Sequence, residues 1–210
     1  ACALKPRAMQ HVLELGFEKV IYVDGDQYFY SRPDALIAAL ERDDVVLTPH
    51  LTSPLSVDRP SERDLMILRA GAYNAGLIGV RRSPTADRLL QWWAERLSFE
   101  SVVDVHGGQV GDQRWLDLVP GLFSGVRIER SPGINAAFWT LWSHPLTYDD
   151  DVGYQIGSTP LVDFHFSGFD PQCPLMLSRH DPYATPSTSA ALARLTSDYA
   201  GRLLGMGWAK

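Results

Sequence analysis

The sequence predicts an α/β protein whose mixed, mostly parallel sheet is flanked by helices. Three observations lead there. Short β-branched runs recur at 19–23, 45–48, 77–80, 126–128 and 161–166. Stretches with apolar residues at helical spacing separate most of them, and Gly, Pro or Asp stands at the junctions.

In chain order, residues 6–15 place Met9, Val12, Leu13 and Leu15 on roughly one helical face, with Gly16 as the stop. Residues 19–23 (KVIYV) read as a buried strand opening abruptly into Asp24-Gly25-Asp26. Asp34 is expected to cap a helix through Leu40, and Pro49 to close the strand at 45–48. A helix over 61–69 starts with a capping-box pair, Ser61 and Asp64. Small residues 71–76 lead into strand 77–80. Pro84 opens a helix to Leu97 with Leu89, Leu90, Trp93 and Leu97 as its stripe. Residues 110–118 read as a helix, and the Pro- and Ser-rich stretch 181–189 as a linker before a terminal helix from Pro186. No repeat is evident. The expected organisation is one domain to residue 185, followed by the terminal helix.

The formal net charge of -6 argues against nucleic acid as the main partner. No apolar run approaches the ~20 residues of an integral membrane segment. Two cysteines far apart, Cys2 and Cys173, read as free thiols in a reducing compartment, so a cytoplasmic location is expected.

Two motifs carry chemistry. Asp24 and Asp26 stand one residue apart in a turn, where like charges repel unless a cation neutralises them. Hard divalent ions take such oxygen ligands and share them with substrate phosphates. A solvated Asp/Gly turn is the plain alternative. His165 closes the apolar run Asp163-Phe164-His165-Phe166, and imidazole suits Mn²⁺ beside carboxylates. Alone it reads as a structural residue; beside the Asp pair it reads as a ligand.

Asp24-Gly25-Asp26, Asn74-Ala75-Gly76, Asp112-Gln113 and His165-x-x-Gly168, in that order, resemble the metal-dependent glycosyltransferases of the GT-A fold. The likeness is to the family-8 group that includes glycogenin and bacterial galactosyltransferases. It spans about residues 2–180 and draws in YNAGLIGVR (73–81), GDQRWLD (111–117) and GINAAFW (133–139). The resemblance implies that Asp24, Asp26 and His165 hold Mn²⁺ or Mg²⁺ against a nucleotide-sugar donor, most simply a UDP-sugar. It implies that Asp26, Asn74, Ala75, Gly76, Asp112 and Gly168 meet the donor, with Asp112 on sugar hydroxyls and Gln113 on the face opposite the leaving group. Asn135, Trp139 and His50 are acceptor-side candidates for a saccharide or other hydroxyl acceptor, and Trp142 a stacking candidate. Each has a bland reading: Asn74 and Asn135 as turn residues tolerating the left-handed region, Asp112 as a helix cap, His50 as packing. Trp92, Trp93 and Trp115 fall on helical stripes and read as core.

Two departures stand out. The lysine that follows His-x-x-Gly in the family is Pro171 here, and Arg179 is the substitute phosphate contact. The nucleotide-binding βαβ half that normally precedes the Asp pair is also short, so the chain, which starts at Ala1, is expected to be a fragment. The expected activity is sugar transfer to a hydroxyl with retention of configuration, in polysaccharide or glycoconjugate synthesis. A haloacid-dehalogenase phosphatase also uses a strand followed by Asp-x-Asp. It is disfavoured by Gln27-Tyr28 and by the absence of lysine between Lys19 and Lys210. The other rival is a sugar- or metal-binding remnant without catalysis.

Overall fold

The computed structural model describes residues 2–56, 62–104, 109–181 and 184–208. In chain order the elements are α1 (Lys5–Glu14), β1 (Lys19–Val23), β2 (Gln27–Phe29), α2 (Asp34–Ala39), β3 (Val45–Pro49), α3 (Glu62–Ala70), β4 (Tyr73–Arg81) and α4 (Pro84–Glu100). They continue with β5 (Val103–Asp104), β6 (Gln109–Val110), α5 (Val119–Leu122), β7 (Val126–Ile128), β8 (Leu146–Asp149), β9 (Gly153–Ile156), β10 (Thr159–Pro160), β11 (Asp163–His165) and α6 (Ala190–Gly205). The chain is mixed α/β. Its contacts divide it into two compact units, Ala1–Asp24 with Pro33–Arg130, and Gly25–Arg32 with Ser131–Lys210. The terminal helix α6 belongs to the second unit.

In the first unit the sheet order is β1-β4-β3-β7. The sheet is mixed, but the expectation of mostly parallel pairing needs correction. β4 pairs antiparallel with both β1 and β3, and only β3–β7 is parallel. β1, β3 and β7 do run the same way; β4 inserts between the first two in reverse. Sequence periodicity reveals strands but not which neighbour each one takes, which is why direction escaped it.

Central position explains the burial of β4, whose residues 74–80 are all buried. Val45, Leu47, Ile78 and Val80 join one core with Met9 and Leu13 of α1 and Leu89, Leu90 and Trp93 of α4. On the opposite face Gly79 touches Leu40, which a Cβ would meet at 3.0 Å. Each such leucine, fully buried, contributes ~1.5–3 kcal/mol. β1 lies at the sheet edge and is half-buried, not the buried strand expected. Its one free edge removes half the cover that a central strand has.

Several boundaries move. Leu15 is exposed beyond the end of α1. Asp34 is the first residue of α2 with no side-chain cap; Pro33 precedes it. Residues 74–76 lie inside β4, because small side chains let that strand be covered on both faces. The helix expected at 110–118 is instead a turn and a 3-10 segment at Arg114–Leu118. Ser83 caps α4 through the Ala86 amide. Ser61 of the expected capping box lies outside the described residues, as do positions 182 and 183 of the expected linker.

The second unit holds β2 paired antiparallel with β11, and the antiparallel sheet β10-β9-β8. Phe166 stacks on Tyr199 of α6 with ring centroids 3.7 Å apart. Close approach is required at Gly133, where a Cβ would stand 2.1 Å from the Pro160 carbonyl oxygen. No helix among the described residues is long and apolar enough to cross a membrane.

Candidate metal-binding site

Asp24 follows the last residue of β1, and its amide donates to the Gly76 carbonyl at 2.8 Å, so β4 fixes where the strand stops. Its carboxylate accepts from the Tyr22 hydroxyl at 2.8 Å and pairs with Lys5 at 3.1 Å. Lys5 is the residue that sequence reasoning missed. It is 6% exposed, lies 4.9 Å from the centre of the Tyr22 ring, donates to the Ala75 carbonyl at 3.0 Å and pairs with Asp112 at 2.9 Å. A signal existed: Lys5, Met9 and Leu13 are spaced by four and share the buried face of α1. Burial works against the Lys5 ammonium, but Asp112 and then Asp24 outweigh it, and its pKa is raised. Asp112 is also buried, and desolvation lifts its carboxyl above the usual carboxylate value while Lys5 opposes the rise. We read the pair as ionised, because the ammonium lies within direct contact distance of both acids.

Asn74, Ala75 and Gln113 form an internal network. The Gln113 carbonyl oxygen accepts from the Ala75 amide and from Asn74 Nδ2, both at 3.1 Å, while its Nε2 donates to the Ala70 carbonyl at 2.9 Å. Asn74 Oδ1 accepts from the Gly76 amide at 2.8 Å. His50, 4% exposed, gives Nδ1–H to the Gly71 carbonyl and accepts from Asn74 Nδ2 at Nε2. A carbonyl can only accept, which fixes that tautomer. His50 is thus a buried tie, and the acceptor contact expected of it gives way to packing. Asp112 does not cap a helix; its carboxylate serves Lys5. Trp93 is core as expected, its indole N–H donating to the Asp112 carbonyl at 3.0 Å.

The second unit holds the other carboxylate of the turn. Asp26 Oδ1 lies 3.2 Å from His165 Nε2, and the Asp26 carbonyl accepts from the Phe166 amide. His165 is 4% exposed on β11, and Trp139 packs edge-on against its ring at 5.5 Å. Its Nδ1 faces the Asn135 side-chain oxygen at 3.2 Å, and the same oxygen accepts from Gln27 Nε2 at 3.0 Å. Gln27 Nε2 also lies 3.1 Å from this Nδ1. With Nδ1–H given to Asn135, Nε2 offers a lone pair toward Asp26; with Nδ1 accepting from Gln27, Nε2–H donates to Asp26. In the first arrangement two acceptor atoms 3.2 Å apart leave a place for a cation between them; in the second they form an ordinary hydrogen bond. The donor set, carboxylate with imidazole, suits a divalent ion.

Asn135 is 1% exposed with φ 53, so the expectation of a left-handed turn residue holds. Its amide donates to Asp163 at 3.0 Å. Burial pushes the Asp163 carboxyl up to about 6 against that amide and His165. Asn135 therefore holds His165 instead of meeting an acceptor. Trp139, 3% exposed, offers no free face for a stacked sugar. Trp142 donates to Asp181 at 2.6 Å. Gly168 has φ +72, and a Cβ there would meet His180 at 2.7 Å, so packing already demands the glycine. Arg179 is exposed, its amide donating to the Gly168 carbonyl. Cys173 is an exposed free thiol.

Two Bacillus subtilis (strain 168) proteins resemble the chain. "Uncharacterized protein YfnF" is 29% identical over 175 residues, 79% of this chain and 55% of the relative. "Uncharacterized protein YfnD" is 32% identical over 170 residues, 79% and 52% respectively. The chain spans about half the length of these curated relatives. No family model and no solved structure matches it.

Proposed function

We propose that the chain is part of a metal-dependent glycosyltransferase of GT-A type that moves a sugar from a nucleoside-diphosphate donor to a hydroxyl acceptor. The observation carrying this reading is the Asp26–His165 contact, and the tautomer with Nδ1–H on Asn135 turns the Nε2 lone pair toward Asp26 for ligation. Asp24, two positions before Asp26 in the chain, is the third ligand that the sequence resemblance implies. The imidazole favours Mn²⁺ over Mg²⁺. When bound, the ion offsets negative charge on the departing diphosphate.

The chain's own residues supply the rest. Lys5 fixes Asp24 and Asp112, so Asp112 can present a carboxylate oxygen to donor-sugar hydroxyls. Gln113 acts by tying Asn74 and Ala75 to Ala70, a positioning role in place of the contact opposite the leaving group. Arg179 is exposed and is the cation proposed for the diphosphate. In the transfer, the anomeric carbon–oxygen bond to the diphosphate breaks and the acceptor oxygen bonds to that carbon. The acceptor's proton leaves with the diphosphate, and configuration is retained. A cytoplasmic setting fits this donor chemistry.

Calorimetric titration of Mn²⁺ with and without UDP, on the chain and on Asp26→Ala and His165→Ala variants, tests the reading. Binding that tightens with UDP and is lost in both variants supports it. An absence of Mn²⁺ binding would leave a plain His165–Asp26 hydrogen bond in its place and sink the metal site.

A further inference from the structure

The second unit contains a cavity of about 320 Å³ that plays no part in the metal site. That volume is at the low end for small-molecule sites, ~300–1,000 Å³, with room for roughly one or two sugar rings. Its wall is tyrosine. Tyr28 and Tyr30 are two residues apart and project from one side of β2 and its extension, while Tyr148 and Tyr154 are direct partners across β8–β9. Tyr199 of α6 closes the wall. The rings meet edge to face, with centroids 5.0 Å apart for Tyr28–Tyr30, 5.2 Å for Tyr30–Tyr154 and 4.8 Å for Tyr148–Tyr154.

Charge gathers at the rim. Arg194, Asp198 and Arg202 recur every four residues on α6, so all three stand over the cavity. The simple expectation for that spacing is a salt-bridged helix face, yet Asp198 pairs with neither arginine among the described residues. It accepts from the Tyr154 hydroxyl at 3.5 Å. Arg194 lies over the Tyr148 ring at 3.8 Å and reaches Asp150 only at 3.7 Å. Arg202 lies over the Tyr28 ring at 5.0 Å and has no carboxylate partner among the described residues. Cation–π stacking presents each guanidinium edge-on with its N–H groups unspent.

We propose that this cavity binds an acidic saccharide. Tyrosine faces pack on the C–H face of a sugar ring, Asp198 and the phenols take its hydroxyls, and the two guanidinium forks take a carboxylate or phosphate substituent. Burial keeps the phenols protonated as donors: Tyr154 is pushed up to about 12, and so is Tyr199, where the Asp26 charge adds to burial. Only the naming of this saccharide as the transfer acceptor rests on the transferase reading; its binding does not.

The test is calorimetry and saturation-transfer NMR of the whole chain with galacturonate oligomers, galactose oligomers of equal length, and inorganic phosphate. The acidic oligomer is expected to bind on the order of tenfold more tightly than the neutral one. Arg202→Gln and Arg194→Gln, both at exposed positions, should each weaken it several-fold with an unchanged circular dichroism spectrum. Asp26→Ala should leave it intact. Equal binding of neutral and acidic oligomers, indifference to both arginine variants, or no binding would overturn the proposal. Phosphate binding as tightly as the oligomer would also overturn it, reducing the cavity to an anion site. Loss of Mn²⁺ binding with oligomer binding retained would strike the transferase reading alone.

Discussion

The two carboxylates of the Asp24-Gly25-Asp26 turn meet opposite electrostatic surroundings. Asp24 belongs to a unit that carries its own cation: buried Lys5 touches Asp24, Asp112 and the Ala75 carbonyl. Asp26 belongs to a unit whose nearest partner, His165, is oriented by the neutral amides of Gln27 and Asn135. One acid is neutralised by the chain. The other is met by an imidazole nitrogen in place of an ammonium. A turn that reads as symmetric in sequence therefore carries a buried ammonium on Asp24 and a histidine on Asp26.

The sharpest way to break this contrast is Lys5→Met, which keeps volume and removes charge. Leaving Asp112 buried without its partner should cost ~3–5 kcal/mol in urea unfolding, and Lys5→Met with Asp112→Asn should recover much of it. If the single variant unfolds at the wild-type midpoint, the built-in cation is not stabilising. Next is Gly133→Ala, whose methyl would press on the Pro160 carbonyl and move the backbone that leads to Asn135. We expect ~1–3 kcal/mol of destabilisation and a loss of Mn²⁺ affinity, both read by melting with and without the ion.

Asn135→Ala separates the two sides more finely. Without the side-chain oxygen beside His165 Nδ1, Mn²⁺ affinity should fall ~10–100-fold by calorimetry. Gln113→Ala, a comparable amide tie in the first unit, should leave that affinity unchanged; equal losses would erase the distinction. The smallest effect concerns Asp44, whose carboxyl is held below 3.8 chiefly by the Arg81 hydrogen bond at 2.6 Å. A depressed carboxylate stabilises the fold above its unfolded pKa and loses that contribution as pH falls through the folded value. Asp44→Asn should therefore lower stability at neutral pH and flatten its decline below about pH 4. An unaltered acid limb in denaturant titrations at stepped pH would count against it.

How much of this was legible in the sequence depends on the range of each interaction. β1, β3 and β7 announce themselves as β-branched runs, and the Asp pair and His165 as polar residues at strand ends. β2, β8 and β9 did not, because three- and four-residue strands rich in tyrosine carry little periodicity. Gly71 and Asn74 read as turn material; Gly71 does take a positive φ, yet Asn74 lies within the central strand, and of the two asparagines Asn135 alone adopts the left-handed conformation. Lys5 reads as a surface lysine because its partners stand far along the chain. His50 and Trp139 looked like ligand contacts since histidine and tryptophan serve both roles, and burial alone decides between them.

The crossing of the chain between units has a consequence for biosynthesis. Eight residues of the second unit, Gly25–Arg32, are translated before Pro33–Arg130 of the first, and β2 has no partner until β11 is made. Gln27 and His165 are 138 positions apart. At ~5–20 residues per second, the early strand waits roughly 7–30 s on the ribosome for its mate. The ligand pair Asp26–His165 can therefore form only after every residue of the first unit, Asp24 included, has been translated.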